Sequence, residues 1–380
     1  GSILLGQDRD GYNYYLRLGL HGTLIIENNE SFENNPFVLA VNNTKSNTYT
    51  LSQNMVINNY GVDSEENILK DAYVQSAKFT IKGKNSAVLS TANEISGITL
   101  AGTSNILPSK QALIISSITM QGFDGAIINK GGKVTLTSVN FVDNETEGNG
   151  SAIRNLVNGA YSGSVTLKGT SKKYAQLIGN FSSKNGGAIY VAANSNANIS
   201  NSTFTSNSAT FGGAIYVGTN ATVKITDSTF SKNTATERGG AIFMDNSSTV
   251  TIAAMLKDVV FSGNKVGKTS SSIFMSENTT LNLFADAKRK ITIKDKIEVA
   301  DPTSATINLG GAGTIYIVNK SALKDIHHVN FGDCSNVSTQ NNSVETTSIR
   351  ALSLNGTSRV SIDASLKSGK ADKIQAETVT

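Results

Sequence analysis

The sequence predicts an all-β fold, a right-handed parallel β-helix of about 14 coils with three short strands per coil. Three observations carry this. Two motifs, Gly-Gly-Ala-Ile and Phe-x-x-Asn, recur in step along the chain. Alternating apolar pairs lie between them and continue far beyond them. The composition is poor in proline and in helix formers, with Pro36, Pro108 and Pro302 the only prolines among 380 residues and no tryptophan. Enough Val, Ile, Leu and Phe remain to build a core, so the chain is not expected to be disordered.

The Ala-Ile pairs fall at Ala126-Ile127, Ala152-Ile153, Ala188-Ile189, Ala214-Ile215 and Ala241-Ile242, at intervals of 26, 36, 26 and 27 residues. A degenerate copy, Ser272-Ile273, follows 31 residues later. The second motif supplies Phe141/Asn144, Phe204/Asn207, Phe230/Asn233 and Phe261/Asn264, each Phe 10 or 11 residues before the next Ala-Ile or Ser-Ile pair. Phe181 is read as a variant with one extra residue before Asn185. Periods of this size mark solenoids.

Each residue type has a reason to recur. Val223 and Ile225 alternate with Thr222, Lys224 and Thr226, giving one apolar and one polar strand face. The same pairing recurs at Val134/Leu136, Val165/Leu167, Val250/Ile252 and Leu281/Leu283, and outside the motif region at Leu24/Ile26, Phe79/Ile81, Ile307/Leu309 and Val360/Ile362. If one period closes one coil, equivalent residues stack about 4.8 Å apart. Phe rings then fill the interior as a ladder. Asn at a fixed turn suits a left-handed backbone, and a column of its amides can bond along the stack. A diglycine permits a tight corner, and the following Ala is small enough to lie inside it.

The organisation expected is one continuous domain: N-terminal coils and a cap over 1–120, motif coils over 121–275 and C-terminal coils over 276–380. A short helix is expected at 64–76, with Ser64 as its cap and Ile68, Leu69, Ala72 and Tyr73 at helical spacing. The aromatic start Gly-Tyr-Asn-Tyr-Tyr (Gly11–Tyr15) is expected to cover the first coil. The 36-residue interval between Ala152 and Ala188 holds about ten extra residues, expected to form a loop on the binding side.

Charge and cysteine content narrow the chemistry. A formal charge of +4 with one basic run, Ala287–Lys290, argues against nucleic-acid binding, and the run is read as a solvated strand end. Cys334 is alone, so it forms no intrachain disulfide and no cysteine metal cage. No signal peptide or membrane-length apolar run is present, and Gly1-Ser2 reads as a cloning scar, so the sequence is expected to be a fragment.

The repeats at Gly186-Gly187-Ala188-Ile189, Gly212-Gly213-Ala214-Ile215 and Gly239-Gly240-Ala241-Ile242, alternating with Phe141/Asn144, Phe204/Asn207, Phe230/Asn233 and Phe261/Asn264, resemble those of the chlamydial polymorphic membrane proteins. The resemblance covers roughly 122–273. The closing Ser368–Thr380 stretch looks like the end of many autotransporter passengers, more loosely. The resemblance implies a type V secreted adhesin at the bacterial cell surface, a virulence factor whose β-helical passenger binds a host-cell surface protein receptor. It also implies an outer-membrane barrel, which this sequence does not contain. This chain departs from the pattern in having one cysteine and no Gly-Gly-Ala-Ile before residue 120.

Set against that implication, the motif residues themselves read first as turn and ladder residues. The principal rival is a β-helical polysaccharide lyase or hydrolase, which needs carboxylates converging on one face. Asp124, Asp143, Asp227, Asp245 and Asp258 are the candidates, and they read better as turn formers, since Asp227 is matched by Asn201 one coil earlier. His327, His328 and Cys334 invite a metal or nucleophile reading. Adjacent histidines on a strand face opposite ways, however, and no triad partner is in place. Asp8-Arg9-Asp10-Gly11 is too short for a Ca²⁺ loop. The expectation is a non-catalytic adhesin with no catalytic residue, cofactor or metal. A third reading is a surface scaffold that forms homo-oligomers through its open coil ends.

Overall fold

The structure is a computed structural model that describes residues 23–26, 43–51, 54–56, 72–74, 76–84, 86–102, 106–301 and 304–317, and strand segments from 328 to 379; its side chains are described mainly between residues 74 and 317. It is a parallel β-helix. Thirteen successive parallel pairings link the Val-x-Ile type strands from Thr23–Ile26 through Thr222–Thr226 to Lys373–Val379. Fourteen strands therefore share this column, in agreement with the coil number expected.

One coil shows the plan. Ile215–Val217 forms the first face, Thr222–Thr226 the second and Thr229–Ser231 the third. A fourth, short segment, Thr234–Arg238, follows the Asn and pairs only over part of the stack, an addition to the three strands expected. Like lies on like from coil to coil: Ile215 pairs with Ile242, Val223 with Val250, Ile225 with Ile252 and Phe230 with Phe261. In Thr222–Thr226 the inward Val223 and Ile225 are fully buried while Thr222 and Lys224 are exposed, so the period of two in the sequence is the inside and outside of the wall.

Two ladders fill the interior. Phe204, Phe230 and Phe261 stack face to face, with centroids 4.6 Å apart and planes within 5°. Beside them runs a continuous amide column of Asn144, Asn180, Asn207, Asn233 and Asn264, all fully buried. Each Nδ2 donates to the Oδ1 of the next, over 2.8–2.9 Å. The remaining Nδ2 proton goes to a carbonyl of the preceding coil, as from Asn233 to Phe204 at 3.0 Å and from Asn264 to Phe230 at 3.1 Å. Each Oδ1 also accepts the backbone N–H of the preceding Asn, as Asn233 does from Asn207 at 3.0 Å. Buried polar groups are thus satisfied along the axis, as a low-dielectric interior demands.

The ladder has two ends. At one, Oδ1 of Asn144 accepts the Phe123 N–H at 3.0 Å. At the other, the buried Asp295 carboxylate takes the place of the next Asn. Its Oδ2 accepts from Asn264 N–H, Asn264 Nδ2 and Ser272 Oγ, and its Oδ1 from Gly263 N–H and Ser270 Oγ.

Three sequence expectations are corrected. Phe181 is exposed and Asn185 is not a rung; Leu177 and Asn180 occupy the ladder positions, Leu177 pairing with Phe141 on one side and Phe204 on the other. Leu replaces Phe while the three-residue step to Asn is kept. The left-handed residue is the one before each Asn, namely Asp143, Gly179, Ser206, Lys232 and Gly263, with φ between 49° and 70°. The Asn must aim its amide along the stack, so its neighbour makes the bend. Finally, Ala72–Val74 is not helical: it is a strand parallel to Ile98–Leu100, because its apolar residues continue the Ile face. The rest of the expected helix, 64–71, and the aromatic start lie outside the described residues.

Removing one rung tests this interior. Phe230→Ala is expected to cost about 3–5 kcal/mol. Asn233→Ala leaves the N–H and Nδ2 of Asn207 without an acceptor, at about 1–3 kcal/mol for each. Lys224→Ala, on the outer face, is expected to stay within about 0.5 kcal/mol. Urea unfolding midpoints of the three variants check the order, and an Asn233→Ala variant as stable as Lys224→Ala would refute the ladder's role.

Candidate functional site

The Gly-Gly-Ala-Ile and Phe-x-x-Asn residues all lie inside the solenoid, so the fold consumes them. All twelve residues of Gly186–Ile189, Gly212–Ile215 and Gly239–Ile242 are buried. Gly212 has φ +64°, a conformation that L side chains rarely adopt. A Cβ on Gly213 would lie 2.3 Å from the Gly240 carbonyl oxygen of the next coil. At the diglycine corner consecutive coils therefore approach too closely to admit a side chain.

The residue after each Ile does face outward. Tyr190, Tyr216, Phe243 and Phe274 form an outer stack with centroid separations of 5.3, 5.1 and 5.2 Å. Tyr190 and Tyr216 are half-buried, whereas Phe243 and Phe274 are covered, with Phe211 edge-on to Phe243 and Arg238 4.6 Å above the Phe274 ring. The Tyr216 hydroxyl donates to Asp245 Oδ2 at 2.8 Å. Burial first, and then this bond, push the Tyr216 hydroxyl's pKa above its usual range, and burial followed by the Asp245 charge raises that of Tyr190. The sequence reading missed this stack. Its signal was the aromatic in Gly-Gly-Ala-Ile-Tyr and Gly-Gly-Ala-Ile-Phe.

The five candidate aspartates do not converge. Asp245 is held by Tyr216 and Thr219, and Asp258 accepts the Lys290 N–H at 2.9 Å. Asp227 is buried, and its Oδ1 accepts the consecutive N–H groups of Met255, Leu256 and Lys257 at 2.8, 2.9 and 3.1 Å. Only Asp124 and Asp143 share a cleft, of about 560 Å³, with Glu94, Glu145, Glu147 and Arg154. There Arg154 is engaged in holding the fold: its Nη2 pairs with Asp124 Oδ1 at 2.6 Å and its Nε donates to the Asn149 carbonyl at 2.6 Å. Among the described residues no group of three His, Cys, Asp or Glu is placed to hold a metal ion. Cys334 lies in the strand His328–Ser338, opposite Gly311. His327 and the side chains of that strand lie outside the described residues.

What varies between coils is the length of the corner between the second and third faces. From Val223 to Phe230 the step is seven residues, and it is the same from Leu113 to Met120, Val134 to Phe141 and Ala197 to Phe204. It grows to ten from Phe79 to Leu89, twelve from Val165 to Leu177, eleven from Val250 to Phe261, twelve from Leu281 to Ile293 and ten from Ile307 to Ile317. The extra residues between Ala152 and Ala188 accordingly divide in two. Gly169–Tyr174 enlarges this corner, and a separate antiparallel hairpin, Ile153–Asn158 with Tyr161–Ser162, enlarges the one before it.

A parallel β-helix with internal ladders and loops at one corner is a repeat solenoid, a class built for display along a rigid rod. The Chlamydia polymorphic membrane protein repeat matches the chain at 176–192, 201–218 and 227–245, each match running from the third face through the Asn to the diglycine corner. These three matches, on consecutive coils, support a chlamydial polymorphic membrane protein. Repeats of this kind support a chlamydial surface autotransporter passenger, and the family they mark implies a place at the bacterial outer membrane and cell surface. No curated protein and no solved structure matches it. No helix among the described residues is long and apolar enough to cross a membrane.

Asp227→Ala should release the 255–257 loop while leaving the ladders in place. Trypsin cleavage after Lys257 is expected to accelerate several-fold, with a stability loss of about 1.5–3 kcal/mol for the charge-assisted bonds. An unchanged cleavage rate would show that the loop holds itself.

Proposed function

We propose that the chain is the binding segment of a non-catalytic adhesin, presenting its insertion loops to a protein receptor on host cells. The single observation that supports this is the division of labour in the coil. The family's repeat residues are spent on the interior, while added chain length collects at exposed corners, where solenoids carry their contacts. Asp227, Asp245 and Asp258 lie at separate corners, and in the cleft that Asp124 and Asp143 share, Asp124 is paired with Arg154; both observations favour binding over hydrolysis. The rigid stack holds the loops at fixed spacing, which lowers the entropy lost when they engage a surface.

Beads coated with the chain test the reading on cultured host cells. Trimming the hairpin at Asn158–Tyr161 and the loop at Thr170–Lys173 to the length of the neighbouring coils is expected to cut bead attachment about tenfold, a loss of roughly 1.4 kcal/mol. Both elements are exposed and outside the ladders, so the urea midpoint should hold. Full attachment by the trimmed chain would remove these loops from the reading, and absence of attachment by the intact chain would remove adhesion itself.

A further inference from the structure

Four of the five enlarged corners share more than position: each of the four carries cations, while the glycine-rich fifth, Ile307 to Ile317, carries none. Lys84 lies in the first, Lys172 and Lys173 in the second, Lys257 in the third, and Lys288, Arg289 and Lys290 in the fourth. The unenlarged corners between them turn at Ser117, Ser138, Asn201 and Asp227 and carry none. Basic residues scattered over two hundred positions are thus brought to one edge of the solenoid. They extend over seven coil steps, about 34 Å at the strand spacing.

The loops touch across the coils that separate them. Lys173 Nζ donates to Ser86 Oγ at 3.2 Å, joining the first two loops. Lys257 Nζ donates to the Ser171 carbonyl at 2.8 Å and sits 4.1 Å above the Tyr174 ring, joining the second and third. Asp258 accepts the Lys290 N–H, joining the third and fourth. The acids of this edge are occupied by backbone: Asp227 by three N–H groups, Asp258 by that of Lys290 and Asp286 by that of Ala287 at 2.8 Å. None of the edge's cations forms an ion pair with an acid among the described residues. The result is a narrow, preorganised line of seven cations that outnumber the three acids of the edge and form no ion pair with them.

We infer that this edge binds a linear, sulfated polysaccharide laid along the solenoid axis. Charge complementarity names a polyanion, and geometry selects among polyanions. The cations form a line one loop wide, which suits an extended chain of repeating anionic groups. An anionic bilayer would favour a broad basic face, whereas these cations form a line one loop wide, and its exposed apolar side chains, Met255, Leu256 and Phe284, belong to the third and fourth loops alone. Single-stranded nucleic acid would favour open aromatic faces for stacking, and Tyr174 and Tyr316 present their rings to Lys257 and Lys290. The inference goes beyond the adhesin reading: it concerns ligand chemistry and stands or falls with purified components, whether or not host cells are the target.

Heparin is the probe, used with the whole chain at physiological salt. The intact chain is expected to bind heparin, with affinity falling steeply as salt rises. The triple variant Lys84→Glu, Lys172→Glu, Lys288→Glu should bind at least about tenfold more weakly. These three side chains are exposed and make none of the loop-to-loop bonds above. A control with the same charge change elsewhere, Lys133→Glu, Lys224→Glu, Lys268→Glu, should change binding by less than about threefold. Urea midpoints equal to the parent's keep folding out of the comparison. N- and O-desulfated heparin should compete at least about tenfold more weakly than heparin. The inference is overturned if the parent does not bind heparin or if the control variant loses as much as the edge variant. It is equally overturned if phosphatidylserine vesicles or single-stranded DNA bind the edge more tightly than heparin does.

Discussion

The asparagine ladder is the constraint on which the rest of the solenoid depends. A planar amide carries two donors and an acceptor on one short stem, so a single residue can bond to the coil before it and the coil after it. Asn180, Asn207, Asn233 and Asn264 do so with one geometry: Nδ2 reaches back to a carbonyl and forward to a side-chain oxygen of the next rung. Such a chain of amides polarises in one direction, each bond strengthening its neighbours. It therefore has a donor-poor end and a donor-rich end. Asp295, an acceptor without a donor, closes the second, and an Asn there would point an NH₂ at other donors. Phe204, Phe230 and Phe261 follow the same repeat, their near-parallel rings 4.6 Å apart and within the range of favourable aromatic stacking.

Much of this was legible in the sequence because stacking places identical demands on each coil. The Phe, Asn, diglycine and Val-x-Ile positions repeat since each must fit the same environment one coil later, and the fold follows from that repetition. The exceptions are places where a different residue meets the same demand. Leu177 and Asn180 replace a Phe rung without changing its step, so a search for Phe settled on the exposed Phe181. Asp295 ends the ladder by differing from Asn. Ala72–Val74 has helical spacing over too short a stretch, and a neighbouring strand decides its conformation. None of these is recoverable from periodicity, which registers sameness.

The candidate site was less legible for a related reason. Chain can be added to a coil only where no ladder would be broken. Five coils keep a three-residue step from the interior Phe or Leu to its Asn, from Phe141/Asn144 to Phe261/Asn264, because a longer turn would carry the amide out of line. The corner between the second and third faces has no such rung in most coils. Its two flanking strands are held independently by their neighbours, so the ends of a loop there are already fixed close together and added residues cost little closure entropy. Asp227 shows how such a loop is then restrained, a buried carboxylate gathering three successive N–H groups from the coil that follows.

It follows that loss of a repeat residue and loss of a contact residue look alike in any assay read only by attachment. Substituting a ladder Asn removes the surface by unfolding the coil that supports it, whatever the surface binds. The cation-bearing corner loops are separable from that effect because they lie outside every interior column and are tied to one another by bonds between side chains and loops. Charge is separable still further, since Lys84, Lys172 and Lys288 can be reversed without shortening a loop or vacating the core. A solenoid of this kind can thus change what it binds by altering one corner, while the interior that makes it recognisable stays the same.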